Sequence, residues 1–459
     1  MFSRRVLLWG LALAAILWGV HAAQEGLRAY RRRELSQRLA RALGEYEWKP
    51  IARLIRQGAD PLTRGTDGLT VMSRAASLGD LATLQSVLVR AQADPLFVAR
   101  ELPELPGRKA DATGELTEQE ESLSGLVRQP GSERLLNAWL GLGLVRHRLG
   151  RYAAAAQAYR QASRLAPNLG AASDGAVNAE RAAGVVAQVA PTLPAGSRVL
   201  TVAPLGGTGP AVSWGVVFYK PDDPKTGNQY ARVRVGLYEA RGRHLIPVGP
   251  SLPLRDPRFE NAYRDVRVFA HDLTGDGKPE LAIEMMSMGA SWDPAYLVIL
   301  SPRVGARRGG WKQLLGLTSS EPLWLEDLDG DGKYEAGKIH EIGCDMSHAE
   351  QPRWTDVYAY EGDRYVLANG RFPREFRHWP SELSQLLQAH PEDWEILDYL
   401  GRTSEILGHP SEAAGYYRRA ANALLPVIAQ SIDSPGYHAE LLGRQLMLRK
   451  QVATLKAGR

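Results

Sequence analysis

Asp327, Asp329 and Asp331 stand at alternate positions, Gly332 follows the third, and Glu335 comes four residues after Asp331. Carboxylates at that spacing can turn their oxygens inward around one hard cation. Gly332 permits the sharp bend, the backbone carbonyl of Lys333 adds a ligand, and Glu335 closes the shell. A donor set made only of oxygens suits calcium. A helix-loop-helix calcium site would need a Glu at the twelfth position of the loop. Lys338 stands there instead, so that arrangement is not expected. A second copy begins 55 residues upstream, with Asp272, Thr274, Asp276, Gly277, the carbonyl of Lys278, and Glu280. Thr274 replaces the second carboxylate, which predicts a weaker site. A third copy emerges when Leu205 is laid on Leu273 and Leu328. Pro204, Gly206 and Thr208 then fall at the ligand positions and supply no carboxylate. This copy is expected to keep the turn and lose the metal.

Short apolar segments must position these turns. Val199–Val202, Val266–Phe269 and Leu323–Leu325 enter them as strands, and Leu281–Ile283 leaves the second. Each unit then ends in an expected hairpin. These pair Val233–Tyr238 with His244–Val248, Tyr296–Leu300 with Trp311, and Val357–Tyr360 with Tyr365–Leu367. Repeats on this scale point to an array of small sheets. The turn motif and its spacing resemble the FG-GAP or VCBS repeats of integrin-type β-propellers over roughly residues 196 to 376. The resemblance implies structural calcium. A closed propeller takes about four blades or more, so three units leave a partial propeller or a small sandwich open.

The chain has 459 residues, enough for two to four domains with real cores. Its apolar share of 44% and charged share of 23% are ordinary for a globular protein, which excludes global disorder. The net charge of +5 is concentrated in Arg28, Arg31, Arg32, Arg33, Arg38 and Arg41, beside an apolar N-terminus. That placement fits an anionic membrane surface better than nucleic acid, and no nucleic-acid partner is expected. The single cysteine, Cys344, permits no intrachain disulfide.

Residues 6–23 are largely apolar and follow Arg4 and Arg5. Their length lies at the short edge of a spanning helix. Trp18 suits an interfacial anchor. Val20-His21-Ala22 is also a passable cleavage site. The favoured expectation is a bacterial inner-membrane protein with a single pass and its body in the periplasm. A secreted or periplasmic product after cleavage is the alternative, and a cytosolic body a further one.

Gly58-Ala59-Asp60-Pro61 is echoed by Gln92-Ala93-Asp94-Pro95 at a period of 34. With Thr70, Ala75, Ala76 and Gly79 between them, this stretch resembles ankyrin repeats, although Val71 and Ser73 depart from the family pattern. Residues 97–131 hold prolines and the acidic run Glu115–Glu121, expected as a linker with one short helix at Thr117–Val127. Ser132 is a plausible N-cap for the helix after it. Trp139, Leu142, Gly143, Gly150, Ala155, Tyr159, Ala162 and Pro167 then match one tetratricopeptide repeat, with Arg146 where that family prefers tyrosine. Leu397, Leu400, Gly401, Gly408, Ala413, Tyr417 and Ala420 repeat the spacing. A final helix over about Pro435–Lys456 is expected to cap them.

No motif for nucleophilic, phosphate-cradling or zinc-hydrolase chemistry is present. His340, Cys344 and His348, with Asp345 among them, offer a lesser transition-metal alternative to an ordinary loop. A cell-wall or carbohydrate-binding component of a hydrolytic assembly is the alternative, which a cleft with a carboxylate pair outside the Asp turns, or an aromatic platform built from Trp214, Trp292 or Trp311, would favour.

The expected fold class is multidomain α plus β. It comprises an anchor or signal segment (1–27), ankyrin-like helices (28–96), a linker (97–131), a tetratricopeptide domain (132–194), a β module of partial-propeller or sandwich type (195–376), and a second tetratricopeptide-like domain (377–459). The expected function is a non-enzymatic, membrane-anchored scaffold. Its protein partners would bind the helical repeats, and calcium at Asp327, Asp329, Asp331, Lys333 and Glu335, and more weakly at Asp272, Thr274, Asp276, Lys278 and Glu280, would stiffen the β module.

Overall fold

The structure, a computed structural model, describes residues 24, 27–43, 48–65, 70–72, 75, 80–91, 97, 116–132, 134–206, 213–220, 232–254, 263–287, 295–303, 310–319, 323–342 and 351–457. Among these no helix is long and apolar enough to cross a membrane. The expected span at residues 6–23 lies outside them.

Residues 27–43 form helix α1, followed by α2 (Trp48–Arg56), α3 (Leu81–Arg90) and α4 (Leu116–Val127). Asp80 starts α3 by accepting a hydrogen bond from the Thr83 N–H at 3.0 Å, which satisfies a donor the helix leaves orphaned. An antiparallel bridge joins Arg64 and Thr70, inside the 34-residue repeat. Leu39, Leu43, Ile51, Val71, Leu84 and Leu88 share one core with Leu123 and Leu126 of α4 and with Leu142 and Val145 further on. Each such burial contributes about 1.5–3 kcal/mol, so α4 belongs to this core and is more than a helix in a linker. Its acidic run is deceptive in sequence, because Glu120 is buried and clamped by Arg146 at 2.9 Å and by Arg151.

The next three helices are α5 (Leu136–Arg148), α6 (Tyr152–Leu165) and α7 (Gly170–Val189). Ser132 does not cap α5, which starts after Leu135 with no side-chain cap. The Ser132 hydroxyl instead accepts a hydrogen bond from Gln85 Nε2 at 3.0 Å. The Tyr159 ring is wedged between α5 and α7. A Cβ added at Gly143 or at Gly175 would meet it at 2.7 Å. The absence of a side chain at these two positions is what lets the helices close on the ring.

The β region consists of three antiparallel meanders. Sheet 1 holds β1 (Arg198–Pro204), β2 (Ser213–Lys220), β3 (Arg232–Arg241) and β4 (His244–Pro247), with β5 (Leu252–Pro253) beside β3. Sheet 2 runs β6 (Tyr263–His271), β7 (Glu280–Ser287), β8 (Ala295–Arg303) and β9 (Gly310–Ser319). Sheet 3 runs β10 (Trp324–Glu326), β11 (Glu335–Glu341), β12 (Arg353–Glu361) and β13 (Arg364–Leu367). None of the three closes into a barrel.

The sheets stack face to face, and strand alternation shows how. In sheet 2, Leu281, Ile283 and Met285 of β7 and Tyr296, Val298 and Leu300 of β8 pack on Val217, Val233, Val235 and Leu237 of sheet 1. The intervening Ala282, Leu297 and Ile299 pack on Leu323, Leu325, Ala336 and Tyr365 of sheet 3. Period-two alternation sends neighbouring residues to opposite faces, and here both faces are buried.

Helices cover the two outer faces. Val185 and Val189 of α7 pack on Trp214, Val216 and Phe218 of sheet 1. There the Tyr152 hydroxyl accepts a hydrogen bond from the Val202 N–H at 2.7 Å. On sheet 3, Trp354 packs against Phe376, Trp379 and Tyr399, with ring centroids 5.0, 5.3 and 4.8 Å away. Those rings lead into α8 (Trp379–Ala389), α9 (Trp394–Ile406), α10 (Pro410–Gln430) and α11 (Pro435–Ala457). Gly401 lies against Tyr417 as Gly143 lies against Tyr159, with 2.5 Å left for a Cβ. Among the described residues the two helical segments therefore pack on opposite outer faces of the sheet stack.

Candidate metal centre

The second and third turns link the first two strands of sheets 2 and 3. Each starts after the last strand pair, His271 with Glu280 and Glu326 with Glu335. Their hydrogen bonds superpose almost one for one. Asp272 Oδ1 accepts from Asp276 N–H at 3.1 Å and its Oδ2 from Gly277 N–H at 2.8 Å. Asp327 Oδ1 accepts from Asp331 N–H at 3.1 Å and its Oδ2 from Gly332 N–H at 3.1 Å. Lys278 N–H donates to Asp276, and Lys333 N–H to Asp331, both at 2.8 Å. The glycines take the left-handed backbone this path requires, with φ of 72° and 80° at Gly275 and Gly277, and 77° and 82° at Gly330 and Gly332.

A buried glutamate closes each turn. Leu273 N–H donates to Glu280 Oε2 at 3.0 Å, and Leu328 N–H to Glu335 Oε2 at 2.9 Å. The turns diverge at two positions, Pro279 against Tyr334 and Thr274 against Asp329, and only the second changes the donors around the glutamate. Thr274 donates its hydroxyl to the same Glu280 oxygen at 3.3 Å. Asp329 stands in its place in the third turn and, when ionised, has no proton to give. Burial, reinforced by Asp276 and Asp272, raises the Glu280 carboxyl above its ordinary value. Burial, with Asp329 and Asp331 adding to it, pushes Glu335 up to about 7.

Asp327, Asp329 and Glu335 each place a carboxylate oxygen within 4.8 Å of the other two. Oxygens bound to one calcium at about 2.3–2.6 Å lie no more than about 5 Å apart, so this set fits calcium in spacing and in chemistry. Asp331 is outside that group. Its carboxylate accepts from Lys333 Nζ at 3.1 Å, and the Lys333 N–H holds it below its ordinary value. Among the described residues no such close group forms at Asp272, Asp276 and Glu280. Arg371 was invisible as a site residue in sequence, yet its Nη2 lies 3.6 Å from Asp329 Oδ2. It arrives from beyond β13 with no motif around it.

The turns touch in series. Tyr334 N–H donates to the Leu273 carbonyl at 3.0 Å, and a Cβ on Gly275 would lie 3.2 Å from Lys333 Cγ. Gly206 of the first turn lies against Pro279 of the second. The degenerate ligand position Thr208 lies outside the described residues, as does Gly207.

His340 is turned to the C-terminal helices, its Nε2 2.6 Å from the Tyr399 hydroxyl and its Nδ1 3.7 Å from Asp356. Burial lowers its pKa. Cys344, Asp345 and His348 lie outside the described residues. His271 is a strand-end residue on Tyr334. Trp214 is 4% exposed beneath α7 and forms no aromatic platform, and Trp311 lines the core between sheets 1 and 2. Trp292 lies outside the described residues. No family model matches the chain, and the searches of curated proteins and of solved structures returned no match.

Proposed function

We propose that this chain is a non-enzymatic scaffold of the bacterial inner membrane. It is anchored by residues 6–23, holds its body in the periplasm, and presents helical repeats to protein partners. The observation that carries this reading is the placement of one helical segment on each outer face of the sheet stack. The three sheets are then a spacer of partial-propeller type, with helices at the two positions where further blades would stack. The paired Gly143–Tyr159 and Gly401–Tyr417 contacts support hairpins of tetratricopeptide type, which assemble into concave surfaces used for protein contacts.

Calcium is structural in this reading. Asp327, Asp329 and Glu335 hold it, and the Lys333 carbonyl and Asp331 complete the shell on a small rearrangement. Millimolar affinity suffices where calcium is plentiful. Bound calcium would neutralise the carboxylates around Glu335 and stiffen the edge at which the three turns meet. The test is a calcium titration of the full-length chain by melting curves. A rise in melting temperature that disappears in Asp329→Ala is expected, and no rise up to several millimolar would remove calcium from the account. A reporter fused after Arg459 tests the compartment, and activity only in the cytoplasm would overturn the periplasmic placement.

A further inference from the structure

Arg371 ends the 3-10 turn Asn369–Arg371 that follows β13. Its guanidinium is shared between two carboxylates. Nη2 lies 3.6 Å from Asp329 Oδ2, inside the close group, and Nη1 lies 3.5 Å from Glu361 Oε1, outside it. The group also lies over the Phe372 ring, 5.4 Å from its centroid. A planar fork can serve two carboxylates at once and trade one for the other with little movement of its stem. Phe372 follows directly and Phe376 four residues later, and both are buried in the core that joins sheet 3 to α8 and α9.

We propose that Arg371 is the resident counter-cation of the 327–335 site and sets its affinity for a divalent cation. It neutralises Asp329 when no cation is bound, and it closes onto Glu361 when one takes that carboxylate. This rests on the calcium reading above. A divalent ion on Asp329 repels the guanidinium, and Glu361 supplies the seat that receives it. Side-chain exposure is 42% for Arg371, 39% for Asp329 and 53% for Glu361, so water screens both pairs. The expected effects on affinity are accordingly small, roughly two- to five-fold.

The two flanking charges predict opposite signs. In calcium calorimetry on the full-length chain, Arg371→Gln binds roughly two- to five-fold more tightly than wild type, because the competitor is gone. Glu361→Gln binds about two-fold more weakly, because Arg371 loses its alternative seat. In the Arg371→Gln background, Glu361→Gln has no further effect. Unchanged affinity in Arg371→Gln would overturn the proposal. So would a Glu361→Gln effect that persists in that background, which would reduce both residues to long-range charge. Should Arg371→Gln fail to fold, the single Glu361→Gln variant decides, with weaker binding in favour and unchanged binding against. Absence of calcium binding in wild type and in every variant would instead remove the calcium reading itself.

Discussion

The turns at 272–280 and 327–335 share their backbone path, their glycines and their closing glutamate, and differ at the eighth residue, Pro279 against Tyr334, and, in charge, at the third. Where the third residue is Thr274, a hydroxyl proton goes to Glu280 and the turn satisfies itself. Where it is Asp329, a further negative charge joins that of Asp331 at Glu335, and a proton, Arg371 or a metal would balance it. That position gives the third turn a close carboxylate group that the second turn lacks among the described residues.

The largest effect that can sharpen this contrast is loss of the closing carboxylate. Glu280→Ala leaves the buried Leu273 N–H without its acceptor and strands Thr274, which costs about 2–3 kcal/mol. Glu335→Ala costs less, about 1 kcal/mol in metal-free protein, because it also relieves repulsion from Asp329 and Asp331. Urea unfolding of both variants checks the ranking, and equal losses would break the comparison. Next comes calcium. At ten times its dissociation constant a ligand stabilises by about 1.4 kcal/mol. Asp329→Ala is expected to lose that increment and Asp276→Ala to keep most of it, as melting curves with and without calcium will show.

The pH dependence of the metal-free chain follows from Glu335. Its folded value of about 7 lies above the ordinary 4.5, so the folded state holds a proton that the unfolded chain releases. The stability this contributes is fully present below about pH 4.5 and is lost as pH rises through 7. Glu335→Gln should flatten that part of the stability–pH curve, measured by urea midpoints between pH 5 and 8. An unchanged slope would place the titration elsewhere. The smallest effect is expected for Thr274→Val, which removes one donor from Glu280 at a cost of about 0.5–1 kcal/mol.

Much of this was legible in the sequence, because the turns depend on carboxylates and glycines at fixed spacing. The closing hairpins of each sheet and the Gly–Tyr helix pairs were legible for the same reason. Strand β2 was not assigned, because the apolar run Trp214–Phe218 is covered on both faces and shows no alternation. Strand β11 was hidden by its polar residues Glu335, Lys338, His340 and Glu341. The acidic run around Glu120 reads as part of a linker in sequence because its partners, Arg146 and Arg151, come from other elements. Arg371 and the placement of helices at opposite ends are tertiary facts, which local spacing does not encode.

The most direct test of the contrast is calcium stoichiometry, measured by calorimetry on the full-length chain beside Thr274→Asp. That substitution gives the second turn the third turn's charge pattern. One strong site in wild type and a second one gained in the variant are predicted. No binding in wild type, or an unchanged count in Thr274→Asp, would contradict the assignment of metal demand to that single position.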